Sequence, residues 1–516
     1  LKIQAEEDMS DLKKALLTFL GQLSASIDKF KKIVEEESPS PAPDPVPVPD
    51  PTPGPVPTPI PTPVPTPTPT PVPVPSGKIF GWNLGGVDYW SQNKILSNAL
   101  WMCSLQTGQP HQRPAKFDEE GALMSGDANT RFTVDGRLHS PGTYKFNYIE
   151  KDNNYAAPLS LTVDPDDRDQ WENVVLSGDM RSVRCTKDGQ ATAMCESFKT
   201  RVIDTPILRF MDLRGTNYPN HSPDGWYRTQ YDLTRGAWEN GQWDGVYTIV
   251  PTITPPMAVA IAKILRSTTI WWNVHFDDID EKTLATARYF DENFDGTIIY
   301  EYGNENWNWF PNLVSDRLYK EYGGDWNKIG NDLRARTNRM GSLVKSKSNR
   351  AIVAMGTQCV NYGVTESLLK GPIDNIDAIC GAPYFGTTSR CPGTWRDLIT
   401  LCETEQKAIQ KAVIDQRDIA KRAGLRFFGY EAGSHLWIKE DGPGTTPEPE
   451  KVRIIDALRS DELARVYESF IQFWRNEINE PLCFFTECHK SSFGHCEWAE
   501  QGYQPRGRVV QQAIRA

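Results

Sequence analysis

The chain has 516 residues and a formal net charge of −11. That length exceeds one small domain and can bury a large core. The acidic balance excludes nucleic acid as the main partner, because a phosphate backbone calls for a basic face. Ten cysteines occur, without a CxxC, and the seven histidines do not cluster with them at zinc spacing. Disulfides are therefore expected rather than a metal site, with Cys185 near Cys195 and Cys391 near Cys402, and with them an oxidising, extracellular setting. No apolar run reaches the length of a membrane span. The chain starts at Leu1 rather than Met, which fits a removed leader or a trimmed start.

Residues 1–37 are rich in Lys, Glu and Leu. Met9, Leu12, Leu16, Phe19, Leu23, Ser26, Phe30 and Ile33 recur by threes and fours, a seam of about three and a half heptads. This predicts an amphipathic helix, either alone or as a coiled coil that makes the chain a homo-oligomer. Residues 38–76 follow, with proline at every second position from Pro39 to Pro75. Proline has no amide donor and fixes φ, so the segment is expected to be an extended spacer on the order of 100 Å long.

The head opens with KIFGWNLGG (Lys78–Gly86), a first strand. Residues 103–203 hold short runs such as TRFTV and GTYKFNYI between Gly, Asp, Asn and Pro, which predicts an inserted β-sandwich. The acidic run Asp164–Asn173 lacks the glycine and spacing of a calcium loop and reads as a solvated turn. The pattern then changes over 204–516. Apolar runs begin at Pro206, Thr269, Thr297, Ala351, Ala378, Arg426 and Leu482, and most are separated by amphipathic helical stretches. Unbroken apolar strands alternating with such helices mean a parallel sheet covered by helices. Counting the strand at Ile79 there are eight, so the expected fold is α/β: a (β/α)8 barrel formed by 77–102 and 204–516. A doubly wound open sheet is the alternative.

In a barrel of this kind chemistry gathers where strands end. The predicted ends offer Arg209 on strand two, Asn273 and His275 on strand three, and Asn304 and Glu305 on strand four. Strand six offers Tyr384; strand seven, Tyr430, Glu431 and His435; strand eight, Glu487 and His489. Two ends thus present a carboxylate among amides and rings. Cleaving a glycosidic bond needs one carboxylic acid to protonate the leaving oxygen and one carboxylate at the anomeric carbon. Glu305 is the expected acid/base and Glu431 its partner, with Trp307 and Trp309 offering indole faces to sugar rings. Each glutamate also has a structural alternative: Glu305 at a helix N-terminus, Glu431 tied to Arg209. Glu301 is a rival to Glu305, but it lies deeper, where it needs a cationic partner. Trp271 and Trp272 lie within a strand and are expected in the core.

Five motifs in order, WNLGGVDYWS, ILRFMDLRGTN, IWWNVHFDD, YEYGNENWN and GYEAGSH, resemble the clan A glycoside hydrolases, and within them secreted cellulase-like or cellulose-binding-domain-associated proteins. The resemblance covers roughly residues 78–490 and implies a retaining glycosidase on a polysaccharide, without a cofactor or metal. It gives Glu305 the acid/base role and Glu431 the nucleophile role. Asn304 would hold a sugar hydroxyl, Arg209 and Tyr384 would orient Glu431, and His275 and His435 would line the cleft. The sequence departs from the pattern with Gly303 in place of Ser, Asn306 in place of Val, and Ala432-Gly433-Ser434 before His435. The strand-eight tryptophan is not evident in CFFTECH. A glycan-binding surface protein that keeps the barrel without chemistry is the alternative function.

Overall fold

The computed structural model describes residues 78–85, 194–217, 252–308, 314–386, 393–438, 445–489, 492–496 and 502–516, and the backbone of strands within 104–187 and 227–251. The expected N-terminal helix and the proline spacer lie outside the described residues, as does Trp309.

Eight parallel strands close into a barrel. They are β1 (Phe80–Asn83), β2 (Ile207–Arg209), β3 (Thr269–Val274), β4 (Thr297–Tyr302), β5 (Ala351–Gly356), β6 (Ala378–Gly381), β7 (Arg426–Gly429) and β8 (Leu482–Phe484). The open-sheet alternative is excluded by closure: β8 pairs both with β7, at Gly429–Leu482, and with β1, at Phe80–Leu482. Helices cover the strands, among them α1 (Glu196–Val202), α2 (Pro255–Ile264), α3 (Asp280–Asn293), α4 (Trp326–Lys345), α5 (Trp395–Arg422), α6 (Asp461–Phe473) and α7 (Pro505–Arg515). Their starts carry local signals. Thr254 caps α2 by accepting from the Met257 N–H, with Pro255 at the first position, and Ser460 caps α6 by accepting from the Leu463 N–H. Thr394 and Asp397 form a reciprocal capping box on α5. Among the described residues no helix is long and apolar enough to cross a membrane.

Strand alternation sorts the side chains. On β3, Ile270, Trp272 and Val274 face the helical layer, while Trp271 joins Ile207, Ile299, Ile352, Phe428 and Tyr430 inside the barrel. Both tryptophans are therefore core residues, as expected. On β4, Ile298, Tyr300 and Tyr302 pack outward with Ile270 and Trp272. Glu301 shares the parity of Ile299 and points inward. Both faces are buried, which is why these strands read as unbroken apolar runs.

The connections before and after β2 form two five-stranded antiparallel sheets. One contains strands at 116–117, 123–125, 142–150, 160–163 and 180–187. The other combines 104–106, 130–135 and 171–176 with two strands from the connection after β2, Tyr227–Tyr231 and Tyr247–Pro251. Ile249 pairs with Leu105 to join the two stretches.

In this structure Cys359, Cys380, Cys483, Cys488 and Cys496 are buried free thiols, and none of them belongs to the two expected pairs. Cys185 and Cys391, members of the two expected pairs, have no described side chain.

Candidate active site

The site is organised around Arg209, the last residue of β2. Parallel register sets it level with Asn83 of β1 and Trp271 of β3. It is completely buried inside the barrel and its five N–H groups are shared among four partners. Nε and Nη2 grip Glu301 at 3.1 and 2.9 Å, Nη1 donates to Glu431 at 2.8 Å and to Asn83 Oδ1 at 2.8 Å, and Nη2 donates to Asn304 Oδ1 at 2.7 Å. Glu301 also accepts from Trp271 Nε1 at 2.8 Å. The deep carboxylate thus has the cationic partner that its depth demands.

Glu431 follows β7 and is buried. One oxygen takes the Arg209 bond, and the other accepts from the Tyr384 hydroxyl at 2.9 Å. Beyond the barrel the two segments stay joined by a short parallel bridge, Tyr384 to Gly433 and Phe385 to Ser434. The bridge fixes the tyrosine against the chain that carries the glutamate. The tie to Arg209 weighed as a structural role for Glu431 is therefore real, and the same contact aims its carboxylate. His435 sits edge-on to Tyr384, with ring centroids 5.3 Å apart, and to Phe493 at 5.2 Å. Burial lowers its pKa, so the ring is held neutral.

Glu305 stands in a turn after β4 rather than at a helix start. Its carbonyl accepts from the Asn308 N–H at 2.7 Å, and its φ of +44° lies in the left-handed region, unusual for a residue with a side chain. Gly303, at φ +66°, makes the reversal: a Cβ there would stand 2.3 Å from Asn306 Oδ1. Asn306 in turn donates to the Tyr302 carbonyl at 2.6 Å. The two departures from the family pattern at 303 and 306 are thus complementary to each other.

The described partners of the Glu305 carboxyl are neutral. Asn308 Nδ2 donates at 2.9 Å, and the Tyr430 hydroxyl lies at 3.5 Å, a weak contact. Trp307 Nε1 donates to the same hydroxyl at 3.2 Å, so half-buried Trp307 uses its polar edge to seat Tyr430. Burial, and after it the negative charge of Glu431, push the Glu305 carboxyl up to about 7.

The structure therefore brings together Glu305, Glu431, Asn304, Arg209, Tyr384 and Trp307, with His435 behind Tyr384. His275 is fully buried, stacks on Phe276 at 4.5 Å and accepts from the Asp277 N–H at 3.1 Å. These contacts turn it toward the loop after β3. Asn83, Asn217 and Asn308 were not anticipated as site residues. All three lie within the quoted motifs, Asn83 in the first, Asn217 at the end of the second and Asn308 at the end of the fourth; Asn217 accepts from Asn304 Nδ2 at 3.0 Å.

No family model matches the sequence, and no curated protein does. Among solved structures, the chain is similar to an arabinofuranosidase (TM-score 0.39, 11% identity, covering 62% of this chain and 63% of that one). It is similar to the same degree to an α-L-arabinofuranosidase from Thermotoga maritima (0.39, 11%, 62% and 62%). A Bacteroides uniformis β-glucuronidase scores 0.32 at 11% identity over 76% of this chain and 46% of that one. The chain spans less than two thirds of the length of each of these proteins. The likenesses are distant, and the barrel stands on its own strand pairing.

Proposed function

We propose that this protein is a retaining glycoside hydrolase of the clan A type, cleaving β-glycosidic bonds of a polysaccharide through Glu305 and Glu431. The observation that carries the reading is the different equipment of two neighbouring carboxyls. Glu431 accepts from a guanidinium and a phenol, whereas the described partners of Glu305 are neutral and its carboxyl is pushed up to about 7. Two carboxyls set in such different surroundings divide into nucleophile and acid.

In the first step Glu431 would attack the anomeric carbon while Glu305 gives its proton to the departing glycosidic oxygen, leaving a glycosyl ester on Glu431. Once the ester forms, the negative charge of Glu431 is gone, and with it one cause of the raised Glu305 pKa. Glu305, now ionised, can take a proton from water, and the resulting attack on the anomeric carbon frees the sugar and restores Glu431. Asn304, anchored between Arg209 and Asn217, would present its amide to a sugar hydroxyl beside the reacting carbon. The polymeric substrate and an extracellular setting belong to the same proposal, since the proline spacer suits a head that works at a distance from its anchor.

The test is reducing-end release from β-glucans, mannans, xylans and chitin by the wild type, Glu305→Gln and Glu431→Gln. Release by the wild type, with a loss of at least about 10³-fold in Glu431→Gln, is expected. Glu305→Gln should lose more on polymers than on aryl glycosides with acidic phenols, which leave without a proton. Absence of release from every polymer, with binding that survives both substitutions, would point to the glycan-binding alternative.

A further inference from the structure

Just after β8, in the buried cluster outside the barrel, the chain brings two thiols together. Cys488 and Cys496 form an isolated parallel β-bridge. The His489 N–H donates to the Cys496 carbonyl at 3.1 Å, and the Cys496 N–H to the Glu487 carbonyl at 3.2 Å. Both cysteines are completely buried. Their sulfur atoms lie within 4.8 Å of each other and of a Glu487 carboxylate oxygen. Bridge partners sit about 4.8 Å apart at Cα, inside the range of about 4.4–6.8 Å in which a disulfide closes without moving the backbone.

This triad has the donor types of a metal site, but its carboxylate is already engaged. Glu487 accepts from Arg201 Nε at 2.7 Å and from the Tyr503 hydroxyl at 3.1 Å. A divalent cation would have to stand beside that guanidinium with two sulfurs as its remaining donors, short of the four that a structural zinc takes. A disulfide, by contrast, needs only the two sulfurs, which already lie within 4.8 Å of each other.

We propose that Cys488 and Cys496 are a disulfide-forming pair, closed during folding by exchange with a small-molecule disulfide such as oxidised glutathione. One cysteine, as thiolate, displaces a glutathione thiolate from the donor and forms a mixed disulfide. The second cysteine attacks the bound sulfur, forms the Cys488–Cys496 bond and releases the second glutathione. The protein loses two electrons and two protons, the donor's sulfur–sulfur bond is reduced, and two glutathione thiols leave. Exchange precedes burial, because the folded pair is closed to solvent.

The bond would close a short ring carrying Phe493 and His495. Phe493 packs edge-on against Tyr384 at 6.2 Å and against Phe485 at 5.7 Å, and His495 lies 4.9 Å from the Trp82 ring. The ring therefore buttresses the tyrosine that holds Glu431. The inference does not depend on the glycosidase reading.

The full chain would be produced in an oxidising periplasm, denatured in iodoacetamide without reductant, digested and analysed by mass spectrometry. The expected result is one peptide pair joined through Cys488 and Cys496, lighter by two hydrogens than the reduced peptides. Dithiothreitol should cleave the bond in denaturant and leave it intact in the native protein. In wild type, reduction in denaturant followed by refolding with blocked reoxidation should lower Tm by roughly 3–6 °C. Carbamidomethyl groups on both cysteines before reduction would overturn the proposal. So would either cysteine joined to a different one, or stoichiometric zinc released together with the two thiols. The measurement is made on the wild type, so it holds even if Cys488→Ser does not fold.

Discussion

Arg209 carries a single positive charge and serves two buried carboxylates, Glu301 and Glu431. The bidentate pair with Glu301 locks the guanidinium plane and leaves Nη1 free to aim at Glu431 and Asn83. The shared cation also explains why Glu431 recruits a second donor in Tyr384. Tyr384→Phe removes that donor while keeping the ring against His435 and Phe493. We expect kcat to fall about 10–100-fold with KM and Tm little changed, read by steady-state kinetics and a thermal melt. An equal drop in Tm and kcat would make Tyr384 a packing residue instead.

At the scale of elements, the turn after β4 concentrates the backbone's departures from regular geometry. Gly303 and Glu305 both have positive φ, and Asn306 fills the space where a Cβ on residue 303 would sit. Gly303→Ala is expected to destabilise the protein by about 1–3 kcal/mol, measured by urea denaturation, and to cost more activity than that loss explains, because Glu305 shifts with the turn. The eight strands and five of the covering helices were legible in the sequence, since strands buried on both faces leave apolar runs and helices leave a period of 3.6. The depth of Glu301 and its need for a cation were legible from its place in the strand, and Arg209 is that cation. The turn conformation was not legible, because it depends on Asn306 folding back onto Tyr302. Nor was the role of Asn83, whose amide donates to the carbonyl of Tyr430, 347 residues away. The strands at 227–231 and 247–251 pair with each other, and the second reaches across the chain's return to β2 to pair with 104–106, a partnership that no local pattern announces.

For the whole molecule, Glu305 makes stability a function of pH. Its folded pKa, about 7, stands above the usual 4.5, so the folded state holds the proton longer than the unfolded chain does. The contribution is complete below about pH 4.5, shrinks as pH rises, and is lost above about 7. Wild type should therefore lose about 1–3 kcal/mol relative to Glu305→Gln between pH 5 and pH 8, in urea titrations run at both values. Equal changes in the two proteins would place the proton elsewhere. Activity should fall on the same alkaline side, as the acid form disappears.

The antiparallel sheet that draws strands from two separate connections has a consequence for how this molecule could be edited or could have arisen. Its chain leaves the barrel after β1, returns through α1 to make β2, and leaves again to lay Tyr247–Pro251 beside Ser104–Gln106. A shorter relative made by excising only the first excursion would leave that returning strand with an open edge, ready to pair with another chain. The two excursions are a single graft with two roots, to be removed or transplanted together.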